Sequence, residues 1–151
     1  AINMLRNYLA TSEIHTSGWG LKPVGIREAM SLLETHYGLR DAVNYTRNNT
    51  RILGHRSRWA VLYYLFTLIN ADDAQYYLDR VHVGDDLPTA SPIMQLRSRL
   101  LKDQHSVNRM TCVEYCALAI KAWNAFRTGE SAQVLMWRRG GSKPEPFPKP
   151  V

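Results

Sequence analysis

Two stretches of this 151-residue chain are apolar at almost every position, and they decide what the remainder must do. The first runs from about Arg56 to Ile69, with Trp59 to Phe66 unbroken and Leu68 and Ile69 following Thr67. A helix with one apolar stripe lies on a surface, whereas a helix apolar on most sides has to be surrounded by protein. The run is too short for the roughly 20 residues a bilayer requires, so it reads as a central core helix. The second opens at Thr111-Cys112-Val113-Glu114, a capping box, and continues to about Thr128 with Cys116, Ile120, Trp123 and Phe126 on its inner side. Two enclosed helices need other helices around them.

The rest of the sequence supplies these. Ile2, Leu5 and Leu9 form one helical stripe from the first residues onward, an opening in mid-pattern that predicts a fragment with a further segment upstream. The segment Ser17 to Gly20 breaks that helix, and Lys22-Pro23 introduces a second with Ile26, Met30, Leu33 and Tyr37 as its inner face and Gly38 as its end. A short helix from Leu39 to about Arg47 precedes a polar loop at 48–54. Asp72, with Gln75 three residues on, is the expected N-cap of a helix whose inner face is Ala74, Tyr77, Leu78 and Val81, stopped at Gly84-Asp85-Asp86. Ser91-Pro92 starts another, carrying Ile93, Leu96 and Leu100, because proline at a first helical position loses nothing by lacking an N–H. Gly129 closes the last helix. Every residue from Lys143 to Pro150 is a proline or precedes one, which dictates polyproline II, lying against the body or a neighbour. No strand pattern and no repeat of roughly 30–45 residues appears. The expected fold is therefore all-α: an irregular orthogonal bundle of six to eight helices over residues 1–137, a single helical domain, with a basic, glycine-containing and then proline-rich extended tail at 138–151.

At 45% hydrophobic residues such a chain buries a core without staples. Cys112 and Cys116, one turn apart, match neither a disulfide framework nor a zinc pattern; they read as small buried hydrophobes in a reducing, cytoplasmic setting. The five histidines, at 15, 36, 55, 82 and 105, have no ligand spacing, and no phosphate loop or nucleophile elbow is present, so no metal, cofactor or catalytic residue is assigned.

Charge is the informative property. Residues 1–90 carry nine bases and nine acids, residues 91–151 ten bases and four acids, and 14 of the 19 bases are arginine. Arginine's planar fork suits phosphate, although it serves internal ion pairs equally well. Arg47, Arg51, Arg56 and Arg58 flank the 48–55 loop and either hold a phosphate backbone or meet the acidic 72–86 segment. Arg99, Lys102 and Arg109 form a nucleic-acid stripe or an ordinary charged face. Arg97 falls among Ile93, Leu96 and Leu100 and is expected to pair with an acid rather than a ligand. Trp137, Arg138 and Arg139 before Gly140-Gly141, with Lys143 beyond, combine a ring, forks and flexible glycines suited to nucleic acid, while Trp137 serves equally as an anchor for the tail.

The segments Leu87 to Leu100, Lys121 to Phe126 with Gly129-Glu130, and Trp137 to Gly141 together resemble the C-terminal helical half of bacterial and phage proteins whose N-terminal half is a ParB/sulfiredoxin-like domain. Lys22-Pro23 and Leu32 to His36 are also similar. The resemblance implies an upstream domain and a setting on phages or mobile elements. It supplies no activity, because the family's Asp-Gly-Gln-His-Arg motif is absent. The reading is a non-catalytic module that assists DNA binding through an arginine-rich C-terminal surface. The alternatives are a structural module for protein interaction or oligomerisation, its partner the upstream domain or another protein, and an enzyme whose site is assembled from His55, Arg56, Asp72 and Asp73. No membrane partner is expected.

Overall fold

The computed structural model of the chain describes residues 1–15, 22–49, 54–131 and 135–151. Among them are seven α-helices and no strand: α1 (Ile2–Thr11), α2 (Ile26–Thr35), α3 (Gly38–Asn49), α4 (Arg56–Thr67), α5 (Ala71–Val83), α6 (Pro92–Gln104) and α7 (Cys112–Thr128). No helix among these residues is long and apolar enough to cross a membrane. The all-α bundle expected from the sequence is the observed fold.

The two apolar runs are its axis. In α4, seven of the twelve residues are buried, and in α7 ten of seventeen, so both are enclosed as their composition requires. The pair touch each other; α1, α3 and α5 pack on α4, and α5 and α6 on α7. Phe66 of α4 stacks on Trp123 of α7 with ring centroids 4.4 Å apart and planes 7° from parallel, and Tyr77 of α5 meets both rings edge-on. Such aromatic pairs are worth about 0.5–1.5 kcal/mol each beyond the area they bury. The phenol of Tyr77 donates to the Ala119 carbonyl, and the Trp59 indole donates to the Tyr115 hydroxyl at 2.8 Å, so the large polar rings of the core keep partners.

Helix ends follow local chemistry, with three corrections to the sequence reading. Thr111 accepts from the Glu114 amide as an N-cap, and Gly84 and Gly129 close α5 and α7 in the left-handed region. The cap of α5, however, is Asn70, whose side chain accepts from the Asp73 amide; Asp72 lies one residue inside the helix. Gly38 does not end α2, which stops at Thr35; it begins α3, where a Cβ would come within 3.2 Å of the Tyr64 ring. The expected inner face of α2 is outside: Ile26 is 83%, Met30 59% and Tyr37 80% exposed, and only Leu33 packs against the core's edge. Helix α6 starts at Pro92 as expected, without a side-chain hydrogen bond from Ser91.

Candidate nucleic-acid interface

Helices α6 and α7 are joined by a short polar turn, and this turn builds the site. Asp103, in the last turn of α6, is buried and accepts from the Met110 amide at 2.7 Å, which ties the chain entering α7 back onto α6. With that carboxylate turned inward, three cations face one remaining acid, Glu114, around the rim. Arg99 and Lys102, one turn apart on α6, and Arg109 on the turn are all exposed and line one cavity of about 330 Å³ with Ser106, Asn108, Met110 and Glu114. Arg99, Met110 and Glu114 also line a second cavity, which continues along α7 past Leu118 to Leu135, Met136 and Trp137. The two form one groove, basic at its start and apolar at its end.

The start of α4 lies beside the basic end. Gly54 and His55 both adopt positive φ, 68° and 51°, so the chain enters α4 through two left-handed residues, an arrangement that a non-glycine residue holds only at a cost of about 1 kcal/mol or more. It sets the His55 ring edge-on to Tyr115, with centroids 5.1 Å apart. Partial burial, then the Arg58 and Arg109 cations, hold the His55 imidazole below its usual pKa, with Asp103 pulling the other way. Positive charge from α4 and from the α6–α7 turn therefore reaches the same place. Arg58 itself turns inward: its guanidinium lies over the Tyr115 ring, 5.1 Å from the centroid. Beside it the Cys112 thiol is brought down to about 7 by a hydrogen bond from Cys116 and by Arg58, against its burial, while burial pushes Cys116 well up. Both cysteines are buried, as their place among apolar residues implied.

The other predicted bases separate into groups. Arg47 and Arg56 are exposed and line a small cleft between α3 and α4 with Thr46 and Ser57; Arg51 lies outside the described residues. Among the described residues, ion pairs engage Arg6 with Glu28, His15 with Glu13, Lys121 with Glu145 and Arg127 with Asp73. The acidic 72–86 segment is thus met by Arg127 and, at Asp79, by the Tyr45 hydroxyl, not by Arg47, Arg56 or Arg58. Arg97 departs from its expectation: it donates to the carbonyls of Val81 and His82 and so closes the C-terminus of α5, where helix carbonyls are unsatisfied and a cation is favoured.

Trp137 anchors the tail, one of the two roles foreseen for it. Its indole donates to the Pro146 carbonyl at 3.1 Å and its ring meets Phe147 edge-on. The Glu145 amide returns to the Arg138 carbonyl at 2.7 Å, so residues 138–145 form a closed loop with Arg138, Arg139 and Lys143 exposed on it. This loop leaves the apolar end of the groove.

Asp103 was the residue sequence reasoning missed; its acceptor role depends on Met110, seven positions away, which no helical spacing marks. The residues named for an assembled enzyme site stay apart. His55 precedes α4, Asp72 and Asp73 follow it, and a helix of twelve residues, about 18 Å at 1.5 Å per residue, separates them. No group of three metal-ligating side chains occurs among the described residues. No family model, no curated protein and no solved structure matches the chain.

Proposed function

We propose that this chain is a non-catalytic helical module that assists DNA binding, contacting phosphates through the α6–α7 groove and the 138–143 loop. The observation carrying this reading is that Arg99, Lys102 and Arg109 line one open groove while the ion pairs of the described residues engage other bases. Three exposed cations against one partly buried acid, Glu114, around a cavity wide enough for a phosphate, with the Asp103 carboxylate held by a backbone amide, favour an anion. Arg47 and Arg56 extend the basic surface from the other side of α4. We place the module in a ParB-like protein of bacteria or phages, on the order and spacing of the segments from Leu87 to Gly141.

The test is a fluorescence-anisotropy titration with labelled double- and single-stranded DNA at about 50 to 200 mM salt, on the chain and on a variant with Arg99, Lys102 and Arg109 changed to alanine. If all three neutralise phosphates of a duplex, the variant's log–log salt slope is shallower by about 2.7, and the chain's advantage over it shrinks about forty-fold across that range. An unchanged slope in a folded variant removes the groove from the interface. No binding by the chain at the lowest salt refutes the reading and leaves assembly with another protein as its function.

A further inference from the structure

The proline-rich segment at 143–151 is held on α7 in a manner that reads its backbone. The Trp137 indole donates to the Pro146 carbonyl at 3.1 Å, and the Asn124 amide donates to the Lys149 carbonyl at 2.9 Å. These carbonyls are three residues apart, one turn of polyproline II, so they leave the same edge of that helix. The Asn124 side-chain oxygen also accepts from the Val151 amide at 3.0 Å, and the Trp123 indole donates to the Val151 carbonyl at 3.0 Å. Two side chains of the segment add selectivity: Glu145 pairs with Lys121 at 2.8 Å, and Phe147 lies against Trp137. A cavity of about 490 Å³ remains between α7 and Pro146 and Pro148.

This is the chemistry by which aromatic grooves recognise proline-rich peptides, with indole N–H groups donating to the carbonyls of a preformed, low-entropy helix. Backbone carbonyls are common to every such segment, so the groove does not require residues 143–151 to be covalently its own. The segment is joined to the body through Gly140 and Gly141, Gly141 at φ 94°, and its Lys143, Pro144, Pro146 and Lys149 are exposed. We propose that the outer side of the C-terminal half of α7 is a recognition groove for a partner protein's proline-rich segment, of the pattern acidic residue, proline, aromatic residue, proline, and that residues 143–151 are its built-in competitor. Because a short tether gives the resident segment a millimolar effective concentration, an incoming segment with the same contacts displaces it only at about that concentration, and one with better contacts sooner.

The probe is a fluorescent peptide of residues 143–151, titrated by anisotropy into the full chain and into the full chain carrying Glu145→Ala and Phe147→Ala, which weaken the resident segment and leave α7 intact. The expected result is binding to the tail variant at least about tenfold tighter than to the unaltered chain, reversed when Asn124→Ala is added. Equal binding to both chains, or binding indifferent to Asn124→Ala, overturns the proposal. As a second measurement on the unaltered chain, a spin-labelled version of the peptide at millimolar concentration should broaden the indole N–H resonances of Trp123 and Trp137 and spare that of Trp59. No selective broadening overturns the proposal as well.

Discussion

Removing one oxygen from the core tests how α4 and α7 are joined. The Trp59 indole donates to the Tyr115 hydroxyl at 2.8 Å, and the two residues are 0% and 2% exposed, so no water can take the hydroxyl's place. Tyr115→Phe keeps the ring and leaves a buried N–H without an acceptor, which costs about 1–3 kcal/mol. For a chain of this length each kcal/mol lowers the melting temperature by about 2–4 °C, so the variant should melt roughly 2–12 °C lower in a circular-dichroism scan. Tyr77→Phe is the matched control. Its hydroxyl donates to the Ala119 carbonyl inside α7, and that carbonyl keeps a helical partner, so the loss should stay near the ordinary value of about 0.5–1.5 kcal/mol. The cause is isolated in a Trp59→Phe background, where no indole donor exists and Tyr115→Phe should cost little. Equal losses from Tyr115→Phe in both backgrounds would refute the argument, since the hydroxyl would then matter for some reason other than the indole. Because the substituted ring would still lie beneath Arg58 and beside His55, the DNA binding proposed for the α6–α7 groove should be unchanged.

Gly84→Ala and Gly129→Ala should differ although both glycines have positive φ: at Gly129 a Cβ meets nothing within 4 Å, whereas at Gly84 it would lie 2.7 Å from Arg97 Cδ and dislodge the guanidinium from the Val81 and His82 carbonyls. Urea denaturation should show about 1 kcal/mol lost at Gly129 and visibly more at Gly84. Asn70→Ala should cost about 1 kcal/mol as the loss of an N-cap, while Asp72→Ala, within the helix, should cost less. Cys112 has its pKa lowered, so its thiolate gains as pH rises through about 7 rather than near 9; alkylation by a small reagent should follow that midpoint. Cys116→Ala should move the midpoint up most and Arg58→Ala less, and a midpoint near 9 in the unaltered chain would contradict this ordering.

Where a residue's neighbours in sequence determine its environment, the sequence was readable. Trp59 to Phe66 and Cys112 to Trp123 are apolar on most sides and are buried on most sides; Gly84 and Gly129 stop helices through their own backbone freedom. The same periodicity misled at α2. Ile26, Met30 and Tyr37 recur at helical spacing, which establishes that the helix has an apolar face and says nothing about whether this chain supplies its partner; all three are exposed. Arg97 shows a different limit. Its position on the apolar side of α6 is legible and predicts a carboxylate partner, whereas the actual acceptors are carbonyls at the end of another helix, which no side-chain pattern advertises. For the candidate site, the grouping of Arg99, Lys102 and Arg109 is legible in the sequence, whereas the continuation of their groove to Trp137 depends on how Asp103 folds the turn.

The two proposed surfaces share one stripe of α7. Glu114, Leu118, Lys121, Ala125 and Thr128 follow at steps of four, three, four and three, so they lie along one side of the helix, with Asn124 next to it. The first two line the groove with α6, and the others line the cavity beneath the proline-rich segment. Trp137 borders both, and the Lys121 ammonium, donating to the Met136 carbonyl, holds the crossing chain in place. The charge is divided accordingly. Glu145 of the tail neutralises Lys121 in the C-terminal half, whereas in the N-terminal half Arg99, Lys102 and Arg109 outnumber Glu114 and set a positive field. An incoming segment of the same pattern would take over Lys121 and Trp137 as it displaces the tail, so the charge and the ring at the end of the basic groove are the same in either state. If both surfaces act as proposed, saturating proline-rich peptide should leave DNA affinity unchanged and DNA should leave peptide affinity unchanged, since linkage makes the coupling reciprocal. A shift in DNA affinity at saturating peptide would refute this and show that the crossing at Trp137 couples the two halves of the helix.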